Sequence, residues 1–200
     1  MVCAKTSQCA GVILCGGLSS RFSGKNKAFI HVGQMPMLDD ILTVFRTIFK
    51  DIFLVAGDPA EYLDWNINIV TDVLPVRSSL TGLHSGLFFA STPYIFVAAC
   101  DTPFLKKEVI EQIVAFIEPY ADVIIPKTSK GFEPLCAVYS KKCIKPIEKN
   151  IMKHKVKIGQ FFNNVRVKQV PEDVLRKHDP DLVSFFNINT PLDLNLAKKI

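Results

Sequence analysis

The sequence predicts an α/β protein with a mostly parallel sheet covered by helices on both faces, three layers in all. Three observations predict it. Short, wholly apolar runs such as Tyr94–Ala99 have the length of buried strands. Between them lie stretches with apolar residues at helical spacing, as at Leu38, Ile41, Leu42, Phe45, Ile48 and Phe49. The spacing of strand, helix and strand leaves room for the crossovers that parallel pairing needs.

Taken in order, Ala10–Cys15 is the first strand and Pro36 to Phe49 the first helix. Ile52–Ala56 is the second strand, closed by a turn at Gly57-Asp58-Pro59. Ile67–Val70 is the third strand and ends at Thr71-Asp72. Gly82–Ala90 reads as a helix, and Tyr94–Ala99 as a fourth strand ending at Cys100-Asp101. Val109, Ile110, Ile113, Val114 and Ile117 mark the next helix, and Val123–Ile125 a fifth strand. Glu133–Tyr139 is a strand with no crossover before it, which predicts at least one antiparallel pairing. Lys141–Met152 reads as a basic helix, Val165–Val170 as a strand and Pro171–Lys177 as a short helix. Val183–Ile188 has the look of a last strand, and Leu192–Lys199 closes the chain as a helix. With no linker, repeat or low-complexity segment, residues 1–200 read as one domain.

Nearly half of the residues are apolar and 22% are charged, the balance of a globular protein. No apolar stretch reaches the roughly 18 residues that span a bilayer. The first ten residues hold one lysine and no apolar core of a signal peptide, so a cytoplasmic protein is expected. The six cysteines form no C-x-x-C pair, and those at 15, 100 and 136 fall in or beside apolar runs, where cysteine serves as a small hydrophobe. Between Lys141 and Lys168 there are nine basic residues and one acid, Glu148. A solvated face is the default reading of that segment, followed by an anionic substrate or an acidic partner. It lacks the stacking aromatics of a nucleic-acid surface.

The segment from Gly11 to Phe29, GVILCGGLSSRFSGKNKAF, carries the strongest chemical signal. A buried strand delivers a glycine-rich, cationic loop, whose backbone N–H groups and fixed charges suit a phosphate chain. Neither G-x-x-x-x-G-K-[ST] nor G-x-G-x-x-G is present, which points to a nucleotide handled as a reactant. Arg21 is placed to fork onto outer phosphate oxygens and Lys27 to neutralise an α-phosphate, while Lys25 suits a solvated position. Asp72 and Asp101 each follow a strand directly. Ligands of such sheets bind beyond the carboxyl ends of the strands, so the glycine loop and both acids face one crevice. Asp101 is a candidate Mg²⁺ ligand, since that ion takes one or two carboxylates together with phosphate oxygens; a loop cap is the alternative. Asp72 suits a ribose hydroxyl or a second metal position. Asn187 and Asn189 alternate onto one face, and Asn189 also suits a helix N-cap before Pro191. His84 follows the start of a helix near the loop. No nucleophile–base pair stands out.

On these residues the chain resembles the molybdenum cofactor guanylyltransferases, which make molybdopterin guanine dinucleotide. The matching pieces are LCGGLSSRFSGKNKA, Thr71-Asp72, Leu80–Gly82, CDTPFL from Cys100, EPLCAVY from Glu133 and NINTPLDL from Asn187. They run in the family's order over nearly the whole length. The family loop usually reads G-x-D-K, where this chain has Gly24-Lys25-Asn26-Lys27, and R-M-G, where it has Arg21-Phe22-Ser23.

The resemblance implies a Rossmann-like nucleotidyltransferase domain that uses GTP and Mg²⁺. It places Leu14, Cys15, Gly16 and Gly17 along the guanine nucleotide, with Arg21 and Lys27 on phosphates. Asp72 and Asp101 would complete the nucleotide site, with Asp101 on magnesium, and Leu80 and Gly82 would help form the guanine pocket. Asn187 and Asn189 would face the pterin. The implied partners are GTP, the molybdopterin cofactor and proteins that supply the cofactor or accept it as molybdoenzymes; the basic segment would receive the anionic cofactor or an acidic carrier. Another nucleotidyltransferase, using CTP on molybdopterin or acting on a sugar phosphate, and a non-catalytic cofactor-binding protein of the same fold are the alternatives.

Overall fold

The computed structural model describes residues 5–16 and 26–200. Its centre is a sheet in the order β3-β2-β1-β4-β7-β5. These strands are β1 (Cys9–Leu14), β2 (Ile52–Val55), β3 (Asn68–Val70), β4 (Tyr94–Ala99), β5 (Val123–Thr128) and β7 (Cys136–Ser140). The first four pair in parallel, and β7 runs against both β4 and β5. The short β6 (Gly131–Phe132) turns back on β5, while β8 (Val167–Pro171) runs parallel to β5. The mostly parallel sheet with an antiparallel strand is the architecture expected.

Every residue of β1 and β4 is buried. Their side chains divide between two cores, because successive strand residues point to opposite faces. On one face Ile13, Phe96 and Ala98 pack with Leu38, Ile41, Leu42 and Phe45 of α1 (Met37–Arg46). Val109, Ile110, Ile113 and Val114 of α3 (Lys107–Ala115) join them. On the other, Val12, Leu14, Ile95 and Val97 meet Leu80, Leu83 and Leu87 of α2 (Ser79–Phe89) and Ile147 and Ile151 of α4 (Ile144–Met152). Each fully buried Leu, Ile or Phe contributes roughly 1.5–3 kcal/mol, so the central strands fix the fold. The chain ends with α5 (Glu172–Arg176) and α6 (Pro191–Ala197).

Several boundaries differ from the sequence expectation, and four of the differences have a clear physical cause. Asp58 does not close a turn: its carboxylate accepts from the Ala60 N–H and opens a 3₁₀ helix, Pro59–Trp65. The second helix starts at Ser79 rather than Gly82, because the Ser78 hydroxyl caps the Thr81 N–H. The antiparallel strand begins at Cys136, leaving Glu133 in the turn before it. Val183–Ile188 is no strand. Leu182 takes a left-handed conformation (φ 53°), Val183–Phe185 forms a 3₁₀ turn, and the buried Asp179 carboxylate takes the Ser184 N–H at 2.8 Å. The donors of that segment are satisfied away from the sheet.

The basic segment is also divided by the fold. Lys142, Lys145, Lys149 and Lys153 lie exposed along and just beyond α4. Arg166 pairs with Asp122, and Lys168 with Glu118. Glu148, the segment's one acid, turns inward onto His84.

Gly11 tests the close fit of α1 on the sheet. A Cβ there would stand 2.6 Å from the Phe45 ring and 2.7 Å from the Phe49 ring. Gly11→Ala is expected to lower stability by roughly 1–3 kcal/mol through overpacking, read as a lower denaturant midpoint with an unchanged slope.

Candidate active site

The sheet's ladder continues one residue past the central strands, and this builds the floor of the site. Cys15 N–H bonds the Val55 carbonyl, Ala56 N–H that of Val70, and Cys100 N–H that of Leu14, at 2.9–3.1 Å. Cys15, Ala56 and Cys100 thus stand side by side at the carboxyl edge, with Asp101 next in the chain.

Lys27 reaches this edge from the 3₁₀ turn Lys27–Phe29, which Asn26 caps by accepting the Ala28 N–H at 3.1 Å. Its ammonium lies 3.4 Å from Asp101 Oδ2 and donates to Asn189 Oδ1 at 2.9 Å. Residues separated by 74 and 162 positions therefore meet at one cation. Burial pushes the Asp101 carboxyl above the usual carboxylate range, and the charge of Lys27 only partly draws it back. Among the described residues, the positive charge beside this carboxylate does not offset its burial. Among the described residues no three His, Cys, Asp or Glu side chains gather into a metal site. A hard divalent cation at Asp101 would need oxygen ligands from a substrate, as Mg²⁺ ordinarily takes them.

Beside this cluster opens a cleft of about 450 Å³. Leu14, Gly16, Val55 and Gly82 line it with apolar surface and backbone, while Asp58, Glu61, Asp72 and Arg77 supply charge. Burial raises the Asp72 carboxyl, against the nearby Arg77 guanidinium. Ser78 and Ser79, at the N-terminus of α2, also line the cleft, where that helix's dipole favours anions.

The structure brings Lys27, Asp101 and Asn189 into contact and sets Leu14, Gly16, Asp72 and Gly82 on the cleft wall. Cys15 lies on the floor, with its thiol driven upward in pKa by burial and then by Cys100. Leu80 is fully buried in the core behind the wall, so its side chain supports the pocket rather than facing it. Asn187 is exposed and Asn189 half-buried. Gly17 and Arg21 lie outside the described residues, as do Ser23 and Lys25 of the same segment. His84 does not join the site: it is 1% exposed, and its Nε2 stands 3.1 Å from Glu148 between α2 and α4.

Asn189 is not the helix cap that its sequence position allowed. Thr190 caps α6, with Pro191 at the first helical position and Asp193 completing a reciprocal capping box. The Asp193 carboxylate also takes the Asn189 N–H at 3.0 Å, which leaves the Asn189 amide free to meet Lys27. The spacing Thr-Pro-x-Asp carried this signal, as Asp58-Pro59 did for the helix that contributes Glu61 and Tyr62.

The matches to known proteins cover this whole framework. Residues 11–168 match the family model described as a MobA-like NTP transferase domain. A molybdenum cofactor guanylyltransferase of Desulfosudis oleivorans is 44% identical, with 94% of this chain and 93% of that protein aligned. The chain belongs to the molybdenum cofactor guanylyltransferase family. A probable guanylyltransferase of Pelotomaculum thermopropionicum is 37% identical over 96% of this chain and 92% of its own length. Among solved structures, molybdopterin-guanine dinucleotide biosynthesis protein A of Archaeoglobus fulgidus superposes with a TM-score of 0.82 at 30% identity, covering 95% of this chain and 97% of that one. As a member of this family, the chain is a nucleotidyltransferase of molybdenum cofactor biosynthesis. No helix of the structure is long and apolar enough to cross a membrane among the described residues.

The raised Asp101 carboxyl makes a signed prediction. A carboxylate whose folded pKa is raised opposes folding once it is ionised; that penalty starts to shrink as pH falls through the folded value and is gone below the unfolded one. Asp101→Asn is therefore expected to keep or raise the neutral-pH unfolding temperature of the metal-free protein. The difference from wild type should narrow on acidification through the raised value and close below the unfolded one. Thermal unfolding across the carboxylate range checks it, and a variant that unfolds earlier at neutral pH contradicts the assigned electrostatics.

Proposed function

We propose that the chain transfers GMP from GTP to the terminal phosphate of molybdenum-bound molybdopterin, giving molybdopterin guanine dinucleotide cofactor and pyrophosphate. The meeting of Lys27, Asp101 and Asn189 at the carboxyl edge, beside a cleft with room for a nucleoside, is the observation that carries this reading. The names of the related proteins support the same substrate pair.

A pterin phosphate oxygen attacks the α-phosphorus of GTP, a P–O bond forms there, and the bond to the β-phosphate oxygen breaks. The attacking phosphate is already largely ionised near neutral pH, so no general base is required. That fits a site in which no histidine accompanies the reacting groups. Lys27 neutralises charge that develops at the α-phosphate, while Asn189 and Asp101 hold its ammonium in place. Asp101 is the residue that would hold Mg²⁺, which supplies further charge neutralisation on phosphate oxygens. Arg21 is assigned the outer phosphates by its place in the glycine-rich segment.

The cleft supports guanine through its acids. Guanine carries an amino donor at N2 and a ring N–H beside it, and carboxylates accept from both. Asp58 and Asp72 are the cleft carboxylates assigned to it, since Glu61 already accepts from the Asn26 amide. Asp72 also suits the ribose hydroxyls. Asn187, exposed beyond the Lys27 contact, is placed toward the pterin side.

Two measurements test this reading. In calorimetric competition GTP is expected to displace CTP and UTP, and equal or better CTP binding would overturn the guanine assignment. Asp101→Ala is expected to reduce magnesium-dependent pyrophosphate release with molybdopterin present by at least about 100-fold while the far-ultraviolet spectrum stays unchanged. Full activity of that variant with magnesium as the metal contradicts the role given to Asp101.

A further inference from the structure

The glycine-rich segment leaves the sheet after Cys15 and rejoins the described chain at Asn26. Both of these positions are tied to the same short helix, Pro59–Trp65. The Asn26 amide has only one workable orientation, because its Oδ1 must accept the Ala28 N–H at 3.1 Å. Its Nδ2 then points at Glu61 Oε2, 2.8 Å away, and at the Tyr62 hydroxyl, 2.6 Å away. Since Asn26 donates to the tyrosine oxygen, the tyrosine's own proton is directed elsewhere. It lies toward the Cys15 carbonyl at 3.5 Å.

Tyr62 is suited to this relay. It is 1% exposed, and burial drives its phenol far above the usual range, so it keeps its proton. Its ring is held by Phe29 and Trp65, with centroids 5.3 and 6.0 Å away, and Phe29 stacks on Trp65 at 5.3 Å. The relay runs from Asn26 to Glu61 in one direction, and from Asn26 through Tyr62 to the Cys15 backbone in the other. Asn26 and Tyr62 line the cleft as well, and Asn26 is directly followed by Lys27.

We infer that Asn26, acting through Glu61 and Tyr62, is a positioning residue that clamps both ends of the glycine-rich segment and so sets Lys27 against the nucleotide. The inference rests on the proposed nucleotide reaction for its kinetic consequences but not for the clamp itself. The residue type follows from the hydrogen-bond directions. An aspartate at 26 accepts only. It would still cap Ala28, but it would face the Glu61 carboxylate with no donor between them. It would also draw the Tyr62 proton to itself and release the Cys15 carbonyl. A glutamine at 61 restores a donor to that contact. The pair at 26 and 61 is therefore matched, needing at least one amide donor.

The experiment is a double-mutant cycle with two readouts. Asn26→Asp is expected to lower nucleotide kcat/KM by about tenfold at neutral pH. Activity should partly return on mild acidification, when two facing carboxylates share one proton. Glu61→Gln alone is expected to stay within about twofold of wild type, because its amide oxygen still accepts from Asn26. N26D/E61Q is expected to recover most of the loss, a non-additivity that a merely weakened fold would not show. The second readout needs no substrate. Amide hydrogen exchange at Phe29 and Ile30, whose N–H groups close the Lys27 turn, should accelerate in Asn26→Asp and slow again in N26D/E61Q. Unchanged exchange in Asn26→Asp, or a double variant no better than the single one in either readout, overturns the clamp. The predicted exchange pattern in a protein that never releases pyrophosphate upholds the clamp and overturns the proposed reaction instead.

Discussion

The Asp101 carboxylate stands at the end of β4, a strand buried along its whole length, and its charge has to be answered by what the neighbouring segments deliver. Water reaches it poorly, and that raises its pKa even with Lys27 beside it. An ionised group in such surroundings persists only with partners. Lys27 is one, held at 3.4 Å and steadied by Asn189 at 2.9 Å. Among the described residues, that pairing does not offset the burial. That imbalance is costly for folding, and in the proposed reaction a cation carried in with a triphosphate would relieve it. The same burial that makes β1 and β4 the centre of the fold thus raises the pKa of the carboxyl at their edge.

The supporting contacts come from both sides of the site. The Pro59–Trp65 helix holds the Lys27 turn from below through Asn26, Tyr62 and the stacked rings of Phe29 and Trp65. The α2 wall contributes shape rather than contact. Leu80 fills the core behind the cleft, while Gly82 leaves room at its face. A Cβ on Gly82 would approach the Leu14 side chain at 3.4 Å, so the small residue keeps the wall clear without relieving any backbone strain.

Much of this was legible in the chain, for reasons that can be named. The strands Ile67–Val70 and Tyr94–Ala99 are each followed two residues on by an acid, so Asp72 and Asp101 could be placed without knowing the pairing. Lys27 was legible through its glycine-rich context. What the sequence hid were contacts across distance. Glu61 and Tyr62 lie 35 and 36 residues from Asn26, and no local period marks the pairing. Val183–Ile188 misled because its apolar content suits a strand, while the deciding features were the left-handed turn at Leu182 and a buried carboxylate at 179 that claims a backbone donor. His84, left open by its place after a helix start, lies in the helix whose first turn lines the cleft, but its side chain faces α4 through Glu148.

Asn189 shows how a small satellite core reaches the candidate site. Ile188, fully buried, packs in a cluster with Met37 of α1 and Ala197 of α6, apart from the two large cores. Its N–H donates to the Asp101 carbonyl at 2.9 Å, so the segment lies directly against the chain that carries the carboxylate. On the other side of the next peptide, the Asp193 carboxylate takes the Asn189 and Thr190 N–H groups at 3.0 and 2.7 Å. The Thr190 hydroxyl, and then these backbone donors, hold Asp193 below the usual carboxylate range. Asn189 is fixed by apolar packing behind and a charged cap ahead, leaving its side chain little choice but Lys27. Helix α6 lies more than 80 residues beyond Asp101 in the chain, and its capping box is nonetheless part of what orients the ammonium.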